Sequence, residues 1–154
     1  MTKIHRPHAG LIASTLLVAL CAAGAARAAG DPGRAPLEIR SGTQHGIAYR
    51  SGGVGRDAVQ AMRAHEGRYD LHVVLSEGRH KDYVADARLR VIDAKGKPVL
   101  RLAHAGPLVD AKLPAGDYTV QAAFGTMKAT QKVHVETGKT AGAYLHFARD
   151  KALS

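Results

Sequence analysis

Residues 83–105, YVADARLRVIDAKGKPVLRLAHA, contain the clearest structural pattern in the chain. From Tyr83 to Val91, every second residue is small, aromatic or aliphatic and most of those between are polar, as expected for a strand with one face buried. Asp93 to Lys97 then forms a turn in which Gly96 is free to take positive φ. Pro98 can open the returning strand, because the first strand position tolerates a missing N–H. The stretch predicts an antiparallel hairpin.

The same two-residue rhythm recurs along most of the chain after position 69. About seven short strands separated by turn signals are typical of an antiparallel β-sandwich. Apart from the hairpin above, the predicted strands are residues 69–75, 108–113, 118–122, 132–135 and 143–147, with the last two forming a hairpin around residues 136–139. Weaker candidates for edge strands are residues 37–40 and 45–50, separated by residues 41–43. The predicted class is all-β.

One short helix is predicted near the start of this domain, over residues 58–65. Asp57 followed three residues later by Gln60 resembles a capping box, and apolar residues between them and His65 lie at helical spacing. Gly67 is placed to end the helix as a C-terminal cap.

The first 28 residues have the features of a secretory signal peptide. Lys3 and Arg6 precede an uncharged apolar run, and Ala26-Arg27-Ala28 matches an A-x-A cleavage site, so we expect cleavage after Ala28. A retained membrane anchor over residues 9–26 is the alternative. Lipidation at Cys21 is disfavoured by the bulky residue before it. Residues 29–36 then form a flexible leader, residues 37–150 the domain, and the protein is expected to be periplasmic or secreted.

The mature chain of 126 residues carries 19 basic and 13 acidic side chains and no cysteine. Cysteine redox chemistry is therefore excluded for it, and packing alone must hold the domain together. The basic residues are spread along the chain without a basic run or interleaved aromatic residues. We therefore expect a solvated surface and no nucleic-acid binding.

Two stretches of the sequence resemble a known family. They are VIDAKGKPV at residues 91–99 and LPAGDYTVQA at residues 113–122, and they resemble the carboxypeptidase regulatory-like domain, a transthyretin-like sandwich of seven strands. Residues 51–57, Met62 and residues 69–71 also resemble small exported bacterial proteins bearing that domain name. The resemblance implies structural roles for Gly96, Pro114, Gly116 and Tyr118, with the Tyr118 hydroxyl tied to nearby backbone as in a tyrosine corner. It implies no peptidase site.

Motifs for catalysis or cofactor binding are weak. Residues 53–58, GVGRDA, match a dinucleotide fingerprint in letters, but the strands that follow lack the repeated strand and helix units of such a fold. No G-x-S-x-G elbow is present. Asp82 and Asp86 are expected to share a solvated face. The sequence therefore predicts no catalytic residue, no cofactor and no enzymatic activity.

Seven histidines remain after residue 28, and no two have a local metal-binding spacing. His134 and His146 are out of phase with their apolar neighbours, so both are expected on the outer face of the last hairpin. They are weak candidates for a surface copper or zinc site, since imidazole suits both metals. Scattered surface histidines explain the same pattern without a metal.

These patterns favour a non-enzymatic interaction or structural module whose partner is a protein of the cell envelope. Loops and edge strands are its available surfaces, and addition of a partner strand to an edge is one route. The alternative is a binder of a small ligand, such as a carbohydrate, or of a metal. The chain has no tryptophan and 5% aromatic residues, which gives it little capacity for stacking on sugars.

Overall fold

The computed structural model describes residues 38–148, which form two β-sheets, one α-helix and a short 3₁₀ turn. The contacts between residues divide the protein into two units, residues 1–35 and 36–154, and every described residue belongs to the second unit. The predicted signal peptide, its cleavage site and the leader lie outside the described residues. The elements are β1 (Arg40–Gln44), β2 (Ile47–Gly52), α1 (Arg56–Arg63), the 3₁₀ turn (Glu66–Arg68), β3 (Leu71–Glu77), β4 (Asp82–Tyr83), β5 (Ala87–Asp93), β6 (Pro98–Ala105), β7 (Leu108–Ala111), β8 (Gly116–Phe124), β9 (Met127–Val135) and β10 (Ala141–Phe147).

The strands form a six-stranded and a four-stranded sheet. The six-stranded sheet has the order β1-β2-β7-β3-β10, with β4 paired to the end of β3, and the four-stranded sheet has the order β6-β5-β8-β9. Buried side chains of both sheets form one core. The predicted all-β class is confirmed, with ten strands in the described residues where about seven were expected. β1 and β2 correspond to the two weaker candidates for edge strands, and β4 was not predicted as a separate strand.

The predicted hairpin of β5 and β6 is confirmed, and its turn is held by one carboxylate. Asp93 Oδ1 accepts hydrogen bonds from the backbone N–H groups of Lys95 and Lys97, both at 2.9 Å. Gly96 has a φ of 79°, which a residue with a side chain adopts only at a cost. The turn thereby sets the register that points alternate residues of β5 into the core.

The alternation of buried and exposed residues is interrupted just before β5, although the sequence pattern continues from Tyr83 to Val91 without a break. Asp86 has a φ of 65°, and this left-handed residue changes which side chains face inward. Val84 is 2% exposed, whereas Tyr83 is 41% exposed and Ala85 is also at the surface. The prediction that Tyr83 and Ala85 face the core was therefore wrong, because a single positive-φ residue shifts a period of two by one position.

The first two strands form a tight hairpin. Residues 41–43, expected to separate the strands, belong to β1, and the turn consists of His45 and Gly46 with φ values of 50° and 80°. β2 also pairs with β7, so of these two strands only β1 lies at an edge of the sheet. The prediction of two edge strands was wrong for β2.

Helix α1 begins two residues earlier than predicted. Gly55, with a φ of 85°, is its N-cap, which places Asp57 in the first turn instead of at the cap. The C-cap is Ala64, and Gly67 lies in the 3₁₀ turn. The predicted cap positions of Asp57 and Gly67 were therefore wrong, because a positive-φ glycine lets the chain enter the helix earlier. Within residues 38–148 neither helical segment has the length and apolar character needed to cross a membrane.

The last two strands do not form the predicted hairpin. β9 pairs antiparallel with β8, whereas β10 crosses to the other sheet and pairs in parallel with β3. The start of β10 is tied to the start of β3, since the Ala141 N–H donates to the Asp70 carbonyl at 2.8 Å and the Thr140 hydroxyl donates to the Tyr69 carbonyl at 2.7 Å. Both pairings bury alternate residues, so the two-residue period alone does not distinguish them.

Tyr118 occupies the position that the sequence predicts for it. Its side chain is in the core, with the residue 8% exposed, and its hydroxyl donates to the Pro114 carbonyl at 2.9 Å. Burial raises the pKa of the Tyr118 phenol above its usual value of 10.0, and the charges of Asp93 and Asp70 raise it further. The folded protein therefore holds this proton more tightly than the unfolded chain does.

Replacing Tyr118 by phenylalanine should lower the free energy of unfolding at neutral pH by about 1 kcal/mol, the usual contribution of one hydrogen bond. Because the folded-state pKa is raised, the native tyrosine loses stabilisation as the pH rises above about 10 and the unfolded chain ionises first. The difference between the two proteins should therefore narrow above pH 10. Urea unfolding of both proteins at pH 7 and between pH 10 and 12 measures it, and a constant difference would contradict the assignment.

Candidate functional site

The outer face of the four-stranded sheet carries a cluster of exposed cations. Alternation along β5 and β9 points polar residues outward, and β6 contributes one more cation to the same face. The basic face consists of Arg88, Arg90, Arg101, Lys128 and Lys132. None of these five side chains forms an ion pair or a hydrogen bond with another described residue. The face therefore presents unneutralised positive charge to solvent.

Two of these cations are direct cross-strand neighbours. Arg90 of β5 lies opposite Arg101 of β6 in the strand register, so their Cβ atoms are about 4.5–5.5 Å apart. Like charges in this position are destabilising unless an anion lies between them. Arg88 lies two residues along β5 on the same face, about 6.6–6.8 Å away. Such a concentration of charge is a feature that folding alone does not require.

A shallow depression lies between the cations. It has a volume of about 450 Å³ and is lined by Arg88, Arg90, Gln121, Ala123, Lys128 and Thr130, among others. In the register, Gln121 lies between Arg90 and Thr130, and Ala123 lies between Arg88 and Lys128. Arg88 and Lys128 therefore flank the neutral end of β8, where this strand offers the Gln121 amide and small side chains.

The other end of this sheet has mixed charge. A second depression of about 770 Å³ is lined by Asp93, Asp117, Lys132 and His134, and it also includes Gln121. His134 Nδ1 lies 2.6 Å from Asp117 Oδ1, and both side chains are largely exposed. The two depressions adjoin at Gln121, and acidic groups appear only at the end near His134.

The two candidate metal ligands lie on different sheets. His134 is in β9, whereas His146 is in β10, where its Nδ1 shares a hydrogen bond of 3.2 Å with Ser76 Oγ. The prediction that both project from one hairpin was wrong, because β10 pairs with β3. In residues 38–148 no group of three or more histidine, cysteine or acidic side chains is placed to hold a metal ion. Metal binding at either histidine stays a prediction.

A buried cluster of charged groups lies under α1 on the six-stranded sheet. Asp110 is fully buried, and it accepts a hydrogen bond from Arg50 Nε at 2.8 Å and lies 2.5 Å from His72 Nδ1. Arg50 also donates to the Met62 carbonyl near the end of α1. His72 Nε2 lies 3.7 Å from a carboxylate oxygen of Glu66. Each group has a partner within the fold, and the cluster fastens the helix to the sheet.

This cluster is not arranged for nucleophilic catalysis. A catalytic histidine needs one ring nitrogen near a hydroxyl or thiol that it can activate. Both ring nitrogens of His72 instead face carboxylates, those of Asp110 and Glu66. The Arg50 guanidinium lies 4.9 Å from the centre of the Tyr69 ring, which covers it. The geometry favours a structural role.

Glutamine side chains form hydrogen bonds with the backbone groups of two strands at sheet edges. Gln44 of β1 bridges to β6, donating to the Arg101 carbonyl at 2.8 Å and accepting from the Arg101 N–H at 2.9 Å. Gln131 of β9 does the same for β10, accepting from the Tyr144 N–H at 2.8 Å and donating to the Gly142 carbonyl at 3.5 Å. These edge positions have their hydrogen bonds satisfied internally, which disfavours strand addition there.

No family model, curated protein or solved structure matches this chain. Its function is therefore argued from the geometry of its surface.

The basic face and the buried cluster were both missed by reasoning from the sequence. The cations of the basic face come from three strands, so no continuous run of basic residues in the sequence predicts the cluster. The available signal was the phase of Arg88, Arg90, Lys128 and Lys132, each of which alternates with an inward-facing residue. Asp110 lies in an apolar segment, and that placement could have indicated a buried partner.

Proposed function

We propose that this protein is an exported, non-enzymatic interaction module that binds an anionic partner in the cell envelope through its basic face. The observation that carries the proposal is the pairing of Arg90 with Arg101 inside a cluster of five exposed cations, none of which forms an ion pair with a described residue. An anionic partner would relieve the repulsion within the cluster. It would also form charge-assisted hydrogen bonds, for which the planar guanidinium group is well suited.

Charge on a sheet face offers a more available route to a partner than the strand edges do. The β6 and β10 edges are bridged by Gln44 and Gln131, as described above, whereas no described helix covers the basic face. Complementary charge mainly accelerates association and selects the partner, and its effect weakens with salt. The protein would act as a docking unit whose affinity depends on ionic strength.

For the fold we propose a transthyretin-like β-sandwich related to the carboxypeptidase regulatory-like domain. Three observations support this proposal: two sheets share one core, Asp93 organises the turn of the β5–β6 hairpin, and the Tyr118 hydroxyl bonds to the Pro114 carbonyl. The seven strands of that family would correspond to β3 and β5 to β10. Such a module supplies surfaces and loops for binding, and its fold by itself specifies no chemistry.

The carbohydrate alternative draws less support from this surface. Stacking on a sugar needs an exposed aromatic ring. The only aromatic residue that lines either of the two depressions described above is Tyr118, which is buried. A neutral sugar would also leave the cations of the basic face without partners.

Binding of polyglutamate and of inorganic polyphosphate to the purified protein at low salt tests the proposal. We expect both polymers to bind the native protein. Neutralising three cations of the basic face should weaken binding about tenfold to hundredfold, because each charge contributes about 1 kcal/mol or less to the binding free energy. Calorimetric titration at increasing salt measures the affinity. The variant carries Arg90→Gln, Arg101→Gln and Lys128→Gln.

A control variant removes the same net charge elsewhere on the surface. It carries Arg68→Gln, Arg79→Gln and Lys112→Gln, all at exposed positions outside the four-stranded sheet. We expect this variant to bind nearly as well as the native protein. Equal loss of affinity in the two variants, or failure of both polymers to bind the native protein, would refute the proposal.

A further inference from the structure

We infer that the anion is carried by an extended acidic segment of a partner protein, which lies over β8 between the arginines of β5 and the lysines of β9. This inference rests on the proposed function and narrows it from anions in general to a run of aspartate and glutamate side chains. The juxtaposition that suggests it is the neutral end of β8, with Arg88 on one side of Ala123 and Lys128 on the other.

The cations form two rims with a neutral floor between them. Arg88 and Arg90 lie on β5, and Lys128 and Lys132 lie on β9, with β8 between these strands. The rims are two interstrand spacings apart, about 9.5 Å. We call this surface the β8 groove; its floor consists of Thr119, Gln121 and Ala123.

The width of the β8 groove suits one extended polypeptide. Successive side chains of an extended chain point to opposite sides, and alternate ones repeat about every 6.6–6.8 Å. Arg88 and Arg90 have this same repeat, since they are two residues apart on one strand. A continuous run of acidic residues would therefore place one carboxylate at each arginine of β5. On the β9 side Thr130 lies between Lys128 and Lys132, so every second carboxylate there would meet a lysine. Its backbone would lie over the floor, where the Gln121 amide offers hydrogen bonds.

The distribution of charged residues along the β8 groove also determines where a bound acidic segment would end. Asp93 and Asp117 line the depression at the His134 end, whereas the depression between Arg88 and Lys128 contains no acidic residue. An acidic segment is attracted to the second region and repelled from the first. The strongest binding should therefore be centred on Ala123, which lies between Arg88 and Lys128 in the register.

Phosphate-bearing partners fit this surface less well. Single-stranded nucleic acids rely on aromatic side chains for base stacking, and no aromatic residue lines the depression between Arg88 and Lys128. A membrane surface would meet the ends of the cationic side chains without entering the groove. In residues 38–148 the exposed large apolar residues are Val54, Tyr83 and Tyr144, none of which lies on this sheet. The floor therefore distinguishes a peptide from a membrane.

The test fills the floor of the groove without changing the charge. Ala123→Leu occupies the space between Arg88 and Lys128, and Ala103→Leu on β6 is the matched control at an exposed position outside the groove. Gln121→Leu is a second floor variant in case the first perturbs folding, which circular dichroism reports. The probes are decaglutamate, decaglutamine, phosphatidylglycerol vesicles and single-stranded DNA.

We expect decaglutamate to bind and decaglutamine not to bind, and we expect Ala123→Leu and Gln121→Leu to weaken decaglutamate binding at least tenfold while Ala103→Leu leaves it unchanged. If vesicles or DNA bind through the basic face and decaglutamate does not, or if neither floor variant affects decaglutamate, the inference is wrong and the proposed function stands. If none of the anionic probes binds, both are wrong.

Discussion

Replacing Asp110 by alanine is expected to lower the free energy of unfolding by about 3–5 kcal/mol, because it removes one partner of a buried charge pair. The carboxylate is fully buried and contacts both Arg50 and His72. Without it, a guanidinium that is 8% exposed would remain in the interior with its charge uncompensated. Urea unfolding at neutral pH measures the effect.

A second His–Asp pair in the same protein provides the control. Asp117 and His134 are joined at 2.6 Å, almost as closely as Asp110 and His72, but their side chains are 77% and 62% exposed. Water replaces a lost partner at the surface, so Asp117→Ala should change stability by about 1 kcal/mol or less. Equal effects of the two substitutions would contradict a role for burial in the Asp110 cluster.

The same substitution should act on the helix as well as on global stability. Arg50 connects Asp110 to the Met62 carbonyl at the end of α1. A cation bonded to the last carbonyls of a helix also interacts favourably with its dipole. When Asp110 no longer orients Arg50, amide hydrogens of α1 should exchange faster relative to those of β5, which lies in the other sheet. Hydrogen exchange followed by mass spectrometry separates this local effect from global unfolding.

Elements that depend on neighbouring residues were predictable from the sequence. The β5–β6 hairpin needs Asp93, Gly96 and Pro98 within six positions, and each has a local physical reason to be there. Tyr118 and Pro114 are four residues apart, so their hydrogen bond is also local. A pattern of residue types suffices for such features because the chain itself holds the interacting groups together.

Features that join distant strands were not predictable in the same way. The period of two places Phe147 inward, and the residue is 1% exposed, but the period is the same for a strand paired with β9 or with β3. The buried cluster likewise joins Arg50, His72 and Asp110 from three strands. One sequence without strand order contains no information on which outward residues become neighbours.

The basic face illustrates the consequence for function. Arg90 and Arg101 are eleven positions apart and meet only because β5 and β6 pair with the register of this hairpin. Lys128 joins them because β8 pairs with β5 on one side and with β9 on the other, and no local pattern predicts the pairing of β5 with β8. In the sequence the basic residues are spread along the chain, which led to the prediction of a solvated surface without a charge cluster. In the folded protein five of them lie on one face of the four-stranded sheet. Candidate sites built from exposed charge therefore depend on strand order.

Replacing Phe147 by alanine is expected to destabilise the protein by about 3–5 kcal/mol, the usual result of removing a large buried aromatic side chain. Its ring lies 5.9 Å from that of Phe124 in the four-stranded sheet, at an interplanar angle of 45°. The substitution therefore removes a contact between the two sheets and leaves a cavity at the end of β10. Thermal and urea unfolding measure the loss.

Tyr144 on the same strand distinguishes this packing from an effect of aromatic content. It lies three residues before Phe147, points to the opposite face and is 68% exposed. Tyr144→Ala should therefore change stability by about 0.5 kcal/mol or less, as exposed substitutions usually do. A reversed order of the two effects would mean that β10 presents its other face to the core, and the parallel register with β3 would then have to shift by one residue. Because such a shift also turns Leu145 and Ala143 outward, the paired variants test the position of the whole strand.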